Sequence, residues 1–117
     1  MKAVLVISHG SHSSQTLVEV KALINKIKAR TAIPIVEYAF LEIEKPSIPE
    51  GIDRCVALGA TQITVTLNFL NSGRHVDNDI PAIIAQAKIK YPAVMFEITQ
   101  PVGQHAGMVD LFLNLIS

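Results

Sequence analysis

An α/β fold with a parallel four-stranded sheet and helices on both faces is what this sequence predicts, from three observations. Four β-rich runs alternate with four segments of helical character, the connections between them are short, and the first run, Ala3 to Ile7 (AVLVI), is apolar at every position. A strand apolar throughout is buried on both faces, and strands alternating with helices lie parallel, with helices above and below. At 117 residues the chain suits one domain, residues 1–117, able to bury about 65% of the surface it exposes when unfolded.

The first strand ends at Ser8, Gly10 permits a tight turn, and one of Ser11, Ser13 or Ser14 caps a helix. Its apolar face is Leu17, Val20, Ile24 and Ile27, and it runs to about Arg30. Pro34 restarts an extended segment, IVEYAF, ending near Phe40, and LEIEKP follows as a loop. Ser47 caps a short helix through Leu58, weakened by Gly51 and ended by Gly59 in a left-handed conformation. Ile63 to Leu67 is the third strand. The stretch from Thr66 to Pro81, TLNFLNSGRHVDNDIP, leads into a third helix capped by Asp77 or Asn78, with Ile83, Ile84 and Ala87 as its apolar face and Tyr91 and Pro92 as its stop. Val94 to Ile98 is the fourth strand, QPVGQHAG a loop, and Met108 to Ile116 a terminal helix.

Composition narrows the function. Ten basic and ten acidic residues cancel without forming blocks, which removes the electrostatic footprint of a nucleic-acid or membrane partner. Charged residues are 17% of the chain against a usual share of about 25%, a deficit that favours an oligomer. The terminal helix, MVDLFLNLI, offers only Asp110 and Asn114 as polar positions, and such a helix is normally covered on more than one side. A homodimer is therefore expected, the alternative being a helix that packs on its own sheet and exposes some leucines. The single Cys55, in RCVALG, reads as a small buried thiol with no internal disulfide to make. The N-terminal apolar run is too short for a signal-peptide core or a membrane span, so a cytoplasmic protein is expected.

Ligands of open α/β sheets bind outside the carboxyl ends of the strands. His9 and His12 follow the first strand, Glu42 and Glu44 the second, Arg74 and His75 the third and His105 the fourth, so all four histidines collect on one edge. His9 and His75, each near a glycine and before a helix, are the candidate site residues; His12 and His105 read equally as loop residues or ligands. Glu42 is a site acid or a solvated loop acid, whereas Glu44 and Lys45 read as surface residues. A helix N-terminus disfavours imidazolium, biasing His9 and His75 toward the neutral ring that binds metals and accepts protons.

Stronger motifs are missing. HGSH gives His-x-x-His, but no HExxH or paired cysteines accompany it, and neither GxxxxGK[ST] nor GxGxxG occurs. Ser11 beside His12 lacks the oriented acid of a triad. A phosphoryl-accepting His9 at a helix N-terminus remains a rival, although Ser8 stands where such phosphatases commonly carry arginine.

VLVISHGS, AFLEIEKPSIPEGID, GATQITVTLNFLNSGRHVDNDIP and PVGQH together resemble the small, half-length sirohydrochlorin chelatases of the class II tetrapyrrole metallochelatases, over almost the whole chain. The resemblance implies a chelatase-like (flavodoxin-like) three-layer sandwich with the macrocycle in the carboxyl-edge cleft. It implies insertion of cobalt, nickel or ferrous iron, the divalent metal being a substrate and no cofactor being bound permanently. The family's two active-site histidines fall on His9 and His75, the candidate metal ligands, and its glutamate on Glu42. Ser11, Arg74 and Lys45 are candidates for the carboxylates of sirohydrochlorin. His12 replaces the arginine of the usual HGSR, and Ala106 follows His105 where proline is common. A non-catalytic metal or tetrapyrrole carrier with the same fold is the alternative function.

Overall fold

Leu5 and Ile7 are buried on one face of the first strand and Val6 on the other, the pattern a central parallel strand requires. In the computed structural model, which describes Met1–Ser117, that strand is β1 (Lys2–Ser8), flanked by β2 (Ile35–Phe40) and β3 (Gln62–Leu67), with β4 (Met95–Pro101) at the edge. All pairings are parallel and the order is β2-β1-β3-β4. The carboxyl ends of the four strands therefore share one edge.

Two helices pack on one face of the sheet and one on the other, making three layers. On one side α2 (Ile48–Ala57) and α3 (Ile80–Lys90) place Ile48, Ile52, Cys55, Ile80 and Ile84 against Leu5, Ile7, Ile63 and Val65. On the other, α1 (Ser14–Arg30) places Val20 and Ile24 against Val6, Val36 and Phe40. Burying each of the valine, leucine, isoleucine and phenylalanine side chains contributes about 1.5–3 kcal/mol relative to leaving it exposed. Burial pushes the Cys55 thiol up to about 12, so it packs as a small apolar group, as expected from the sequence.

Local signals account for most boundaries. Ser13 caps α1 by accepting from the Gln15 N–H, and Ser47 forms a reciprocal capping box with Glu50 on α2. Gly59 ends α2 at φ 105°. Gly51, which weakened the helix in prospect, is where α2 meets the sheet: an added Cβ would lie 2.9 Å from the Ala39 Cβ and 3.0 Å from Leu5. Between α2 and α3, the Tyr91 hydroxyl (2.5 Å) and Lys90 ammonium (3.0 Å) donate to Asp53 and hold its carboxyl below the usual range.

Two expectations need correction. The helical conformation before α3 begins at Arg74 and His75, ahead of Asp77 and Asn78, which sit inside a π-helical turn, His75–Asp79, that makes no side-chain cap. The Ile80 N–H donates five residues back to the His75 carbonyl. Pro81 supplies the reason: it has no N–H, and its ring collides with the carbonyl four residues earlier, so the preceding turn widens. Second, β4 extends past Ile98 to Pro101, because an extra residue shifts the register between Val65 and Leu67 and the Thr99 hydroxyl accepts the Leu67 N–H at 3.3 Å. The terminal helix α4 (Met108–Ile116) has the expected bounds and buries no residue, so within one chain it does not lie on the sheet, which is the alternative set against a homodimer.

Candidate functional site

At the end of β1, Ser8 is buried and its hydroxyl accepts from the Asn68 side-chain amide at 3.0 Å. From there the β1–α1 loop runs against the loop after β2. The Leu41 N–H donates to the Ser8 carbonyl (2.9 Å) and the Glu42 N–H to the His9 carbonyl (3.0 Å). Gly10 has φ 103°, and a Cβ there would sit 1.9 Å from the Glu42 carbonyl oxygen. Only glycine permits so close an approach.

Opposite, the Glu44 N–H donates to the Glu42 carbonyl at 2.8 Å, closing a three-residue turn around Ile43 at φ 72°. This is the rare, strained form of γ-turn, and a β-branched residue at positive φ adds to the strain. The turn lets two glutamates reach the first loop. Glu42 Oε1 lies 2.8 Å from His9 Nε2, and Glu44 Oε1 accepts the Ser11 N–H at 2.8 Å. Glu44, read from the sequence as a surface residue, is instead a latch between the loops.

His75 is held differently. It opens the π-helical turn after β3, and its Nδ1 lies 2.8 Å from Asp79 Oδ2, a residue of the same turn. Sequence reasoning did not select Asp79 as a site residue. Its signal was the spacing of four within GRHVDNDIP, one helical turn from His75.

The three side chains converge. Ligand atoms of His9, Glu42 and His75 all lie within 4.8 Å of one another, and the two rings stand 5.0 Å apart at 53°. Two imidazoles and a carboxylate suit a borderline divalent metal such as cobalt, nickel, iron or zinc. Each imidazole has a carboxylate neighbour, Glu42 for His9 and Asp79 for His75, in addition to the helix terminus that follows it. An adjoining cavity of about 350 Å³ is lined by Ser8, His9, Gly10, Thr16, Glu19 and Asn68, among others.

The remaining candidates stand outside this cluster. Arg74 is exposed directly before His75. The Ser11 hydroxyl accepts the Ser13 N–H at 3.0 Å. Lys45, 80% exposed, pairs with Glu50 at 3.4 Å. His12 is exposed, and His105 Nδ1 accepts the Gly107 N–H at 2.8 Å in the loop before α4.

The sequence pattern of the CbiX family matches residues 3–117. A sirohydrochlorin ferrochelatase of Arabidopsis thaliana chloroplasts is 32% identical over 108 residues, covering 92% of this chain and 48% of the relative. A sirohydrochlorin cobaltochelatase of Sulfolobus acidocaldarius is 30% identical over 111 residues, covering 95% of this chain and 86% of the relative. The crystal structure of the sirohydrochlorin chelatase SirB from Bacillus subtilis subspecies spizizenii, in complex with cobalt, superimposes with a TM-score of 0.89 at 33% identity, over 97% of this chain and 48% of that one. The chain thus spans about half the length of several of the curated relatives it matches, including 48% of the plant enzyme. No helix is long and apolar enough to cross a membrane.

Proposed function

This chain belongs to the CbiX family, and we propose that it is a sirohydrochlorin metallochelatase, inserting Co²⁺, Ni²⁺ or Fe²⁺ into the tetrapyrrole. The observation that carries the reading is the convergence of His9, Glu42 and His75 within 4.8 Å at the carboxyl edge of the sheet. The names of the relatives supply the substrate class.

Insertion replaces two pyrrole N–H protons by one divalent cation, so two protons leave for each metal that enters. The reaction needs a ligand that takes the metal from water and a base that receives protons; it needs no nucleophile and no nucleotide. His9 and His75 divide these tasks. His9 Nδ1 lies 3.2 Å from the Gly10 carbonyl and its Nε2 2.8 Å from Glu42 Oε1. A hydrogen on Nε2 is donated to Glu42, whereas a hydrogen on Nδ1 leaves the Nε2 lone pair facing the carboxylate, where a proton or a cation can enter. That pair is therefore a place to receive a proton or share the metal. Arg74, Lys45 and the Ser11 hydroxyl, outside the cluster, are the candidates for the substrate's carboxylates.

A homodimer belongs to the same reading. Leu111, Phe112, Leu113, Leu115 and Ile116 of α4 are all more than half exposed, and the match to only 48% of the plant relative and of SirB supports a second copy in place of the remainder. A dimeric mass by light scattering at micromolar concentration is expected, and a monomer would remove this part. A cytoplasmic setting fits the buried, unpaired thiol of Cys55.

Incubation with sirohydrochlorin and each metal, followed by absorbance, tests the function. Turnover above the uncatalysed rate, reduced at least about 100-fold in His9→Ala and His75→Ala, is expected for acid–base and ligand groups. Stoichiometric binding without turnover would make the protein a carrier instead.

A further inference from the structure

An imidazole that binds a metal does so through one nitrogen while the other carries hydrogen, and the partner of that second nitrogen decides which is which. The two histidines differ in this respect. Nε2 of His9 faces Glu42 Oε1 at 2.8 Å, and its Nδ1 has only a backbone carbonyl, that of Gly10, at 3.2 Å. Nδ1 of His75 faces the Asp79 carboxylate at 2.8 Å, and no hydrogen bond or ion pair engages its Nε2.

Asp79 has a ready structural role that it does not perform. It directly precedes α3, where an aspartate would ordinarily accept N–H groups of the first turn. Instead it has helical angles, φ −69° and ψ −47°, and makes no capping bond. The widened turn before Pro81 carries the helical conformation back to His75. That leaves the Asp79 carboxylate free of the helix N–H groups and bonded to the imidazole instead.

We propose that Asp79 is the positioning residue for His75: it holds the hydrogen on Nδ1, presents the Nε2 lone pair toward Glu42 and His9, and makes His75 the principal anchor of the incoming metal. An ionised carboxylate can only accept, so the hydrogen between the two groups belongs to the ring. A carboxylate behind a ligating histidine also raises its basicity as a donor, and loss of such a partner typically weakens metal binding about 10- to 100-fold. The metal's part in this rests on the chelatase reading; the ring's tautomer does not.

The test uses the full chain without tetrapyrrole. Ring ¹⁵N NMR of metal-free wild type is expected to show neutral His75 with hydrogen on Nδ1, and Asp79→Ala to shift it toward the Nε2–H form. Titration with Co²⁺, followed by visible absorbance, is expected to show about 10- to 100-fold weaker binding in Asp79→Ala. Asp79→Asn keeps an accepting oxygen without the charge and is expected to fall between the two. An unchanged tautomer in Asp79→Ala, or Co²⁺ affinity within about two-fold of wild type, overturns the assignment. If Asp79→Ala does not fold, Asp79→Asn decides alone: weaker Co²⁺ binding supports the assignment and unchanged binding overturns it. Turnover with sirohydrochlorin is measured separately. Its absence from wild type, with the tautomer and Co²⁺ results as expected, would remove the chelatase reading and leave the role of Asp79 standing.

Discussion

His9 and His75 face each other with ring centroids 5.0 Å apart, yet different kinds of structure hold them. His9 sits in a loop tied to another loop more than thirty residues away, through Gly10 against the Glu42 carbonyl and Ser11 against Glu44. His75 sits in a helical turn and is tied to Asp79, four residues on. One half of the cluster is assembled by the fold, the other by a single turn of chain. Stability and site geometry are thus coupled on the His9 side and nearly separate on the His75 side.

The largest expected break in this contrast is Gly10→Ala. A Cβ would meet the Glu42 oxygen at 1.9 Å and the residue would be held at φ 103°, so a loss of about 3 kcal/mol or more is expected in denaturant unfolding. Co²⁺ binding should fall with it, because both loops must part. Glu44→Ala comes next. It leaves the Ser11 N–H without its carboxylate acceptor, which costs about 1.5 kcal/mol, and it should raise the hydrogen-exchange rate of the Ser11 amide; Glu44→Gln should recover much of both.

Ile43→Gly has the opposite sign. Glycine tolerates φ 72°, and Ile43 is half exposed, so relief of strain should outweigh the lost burial and raise stability by about 1 kcal/mol. The looser turn should place Glu42 less well, so Co²⁺ binding is expected to weaken while the protein becomes more stable. The smallest effect on stability is expected on the other side. Asp79→Ala removes one half-exposed pair within a helical turn, worth about 0.5 kcal/mol or less, even though it is expected to change metal affinity strongly. A loss of stability in Asp79→Ala as large as that of Gly10→Ala would erase the difference between the two halves.

Much of the architecture was legible because its signals are local. The apolar run AVLVI marked the central strand, Ser13 was among the three serines expected to cap α1, Ser47 was read as the cap of α2, and Gly59 stands where a left-handed end was expected. Placing His9, Glu42 and His75 at carboxyl ends of parallel strands brought them to one edge, where the structure sets them within 4.8 Å. The start of the third helix was misread at Asp77 or Asn78, although Pro81 carried the signal for a widened turn. The latch by Glu44 was not readable, since its partner at Ser11 lies 33 residues away.

By itself the sequence determined the order and nearly all the bounds of the elements, and the edge on which the histidines stand. Periodicity, caps and glycines act over a few residues, and the parallel topology follows from alternation. Tertiary structure alone decided that Gly10 meets the Glu42 carbonyl, that Ile43 adopts a strained turn so that two glutamates reach one loop, and that α4 stands clear of its own sheet. Those features depend on which distant backbone atoms come into contact, and no local preference of glutamate, isoleucine or leucine encodes that.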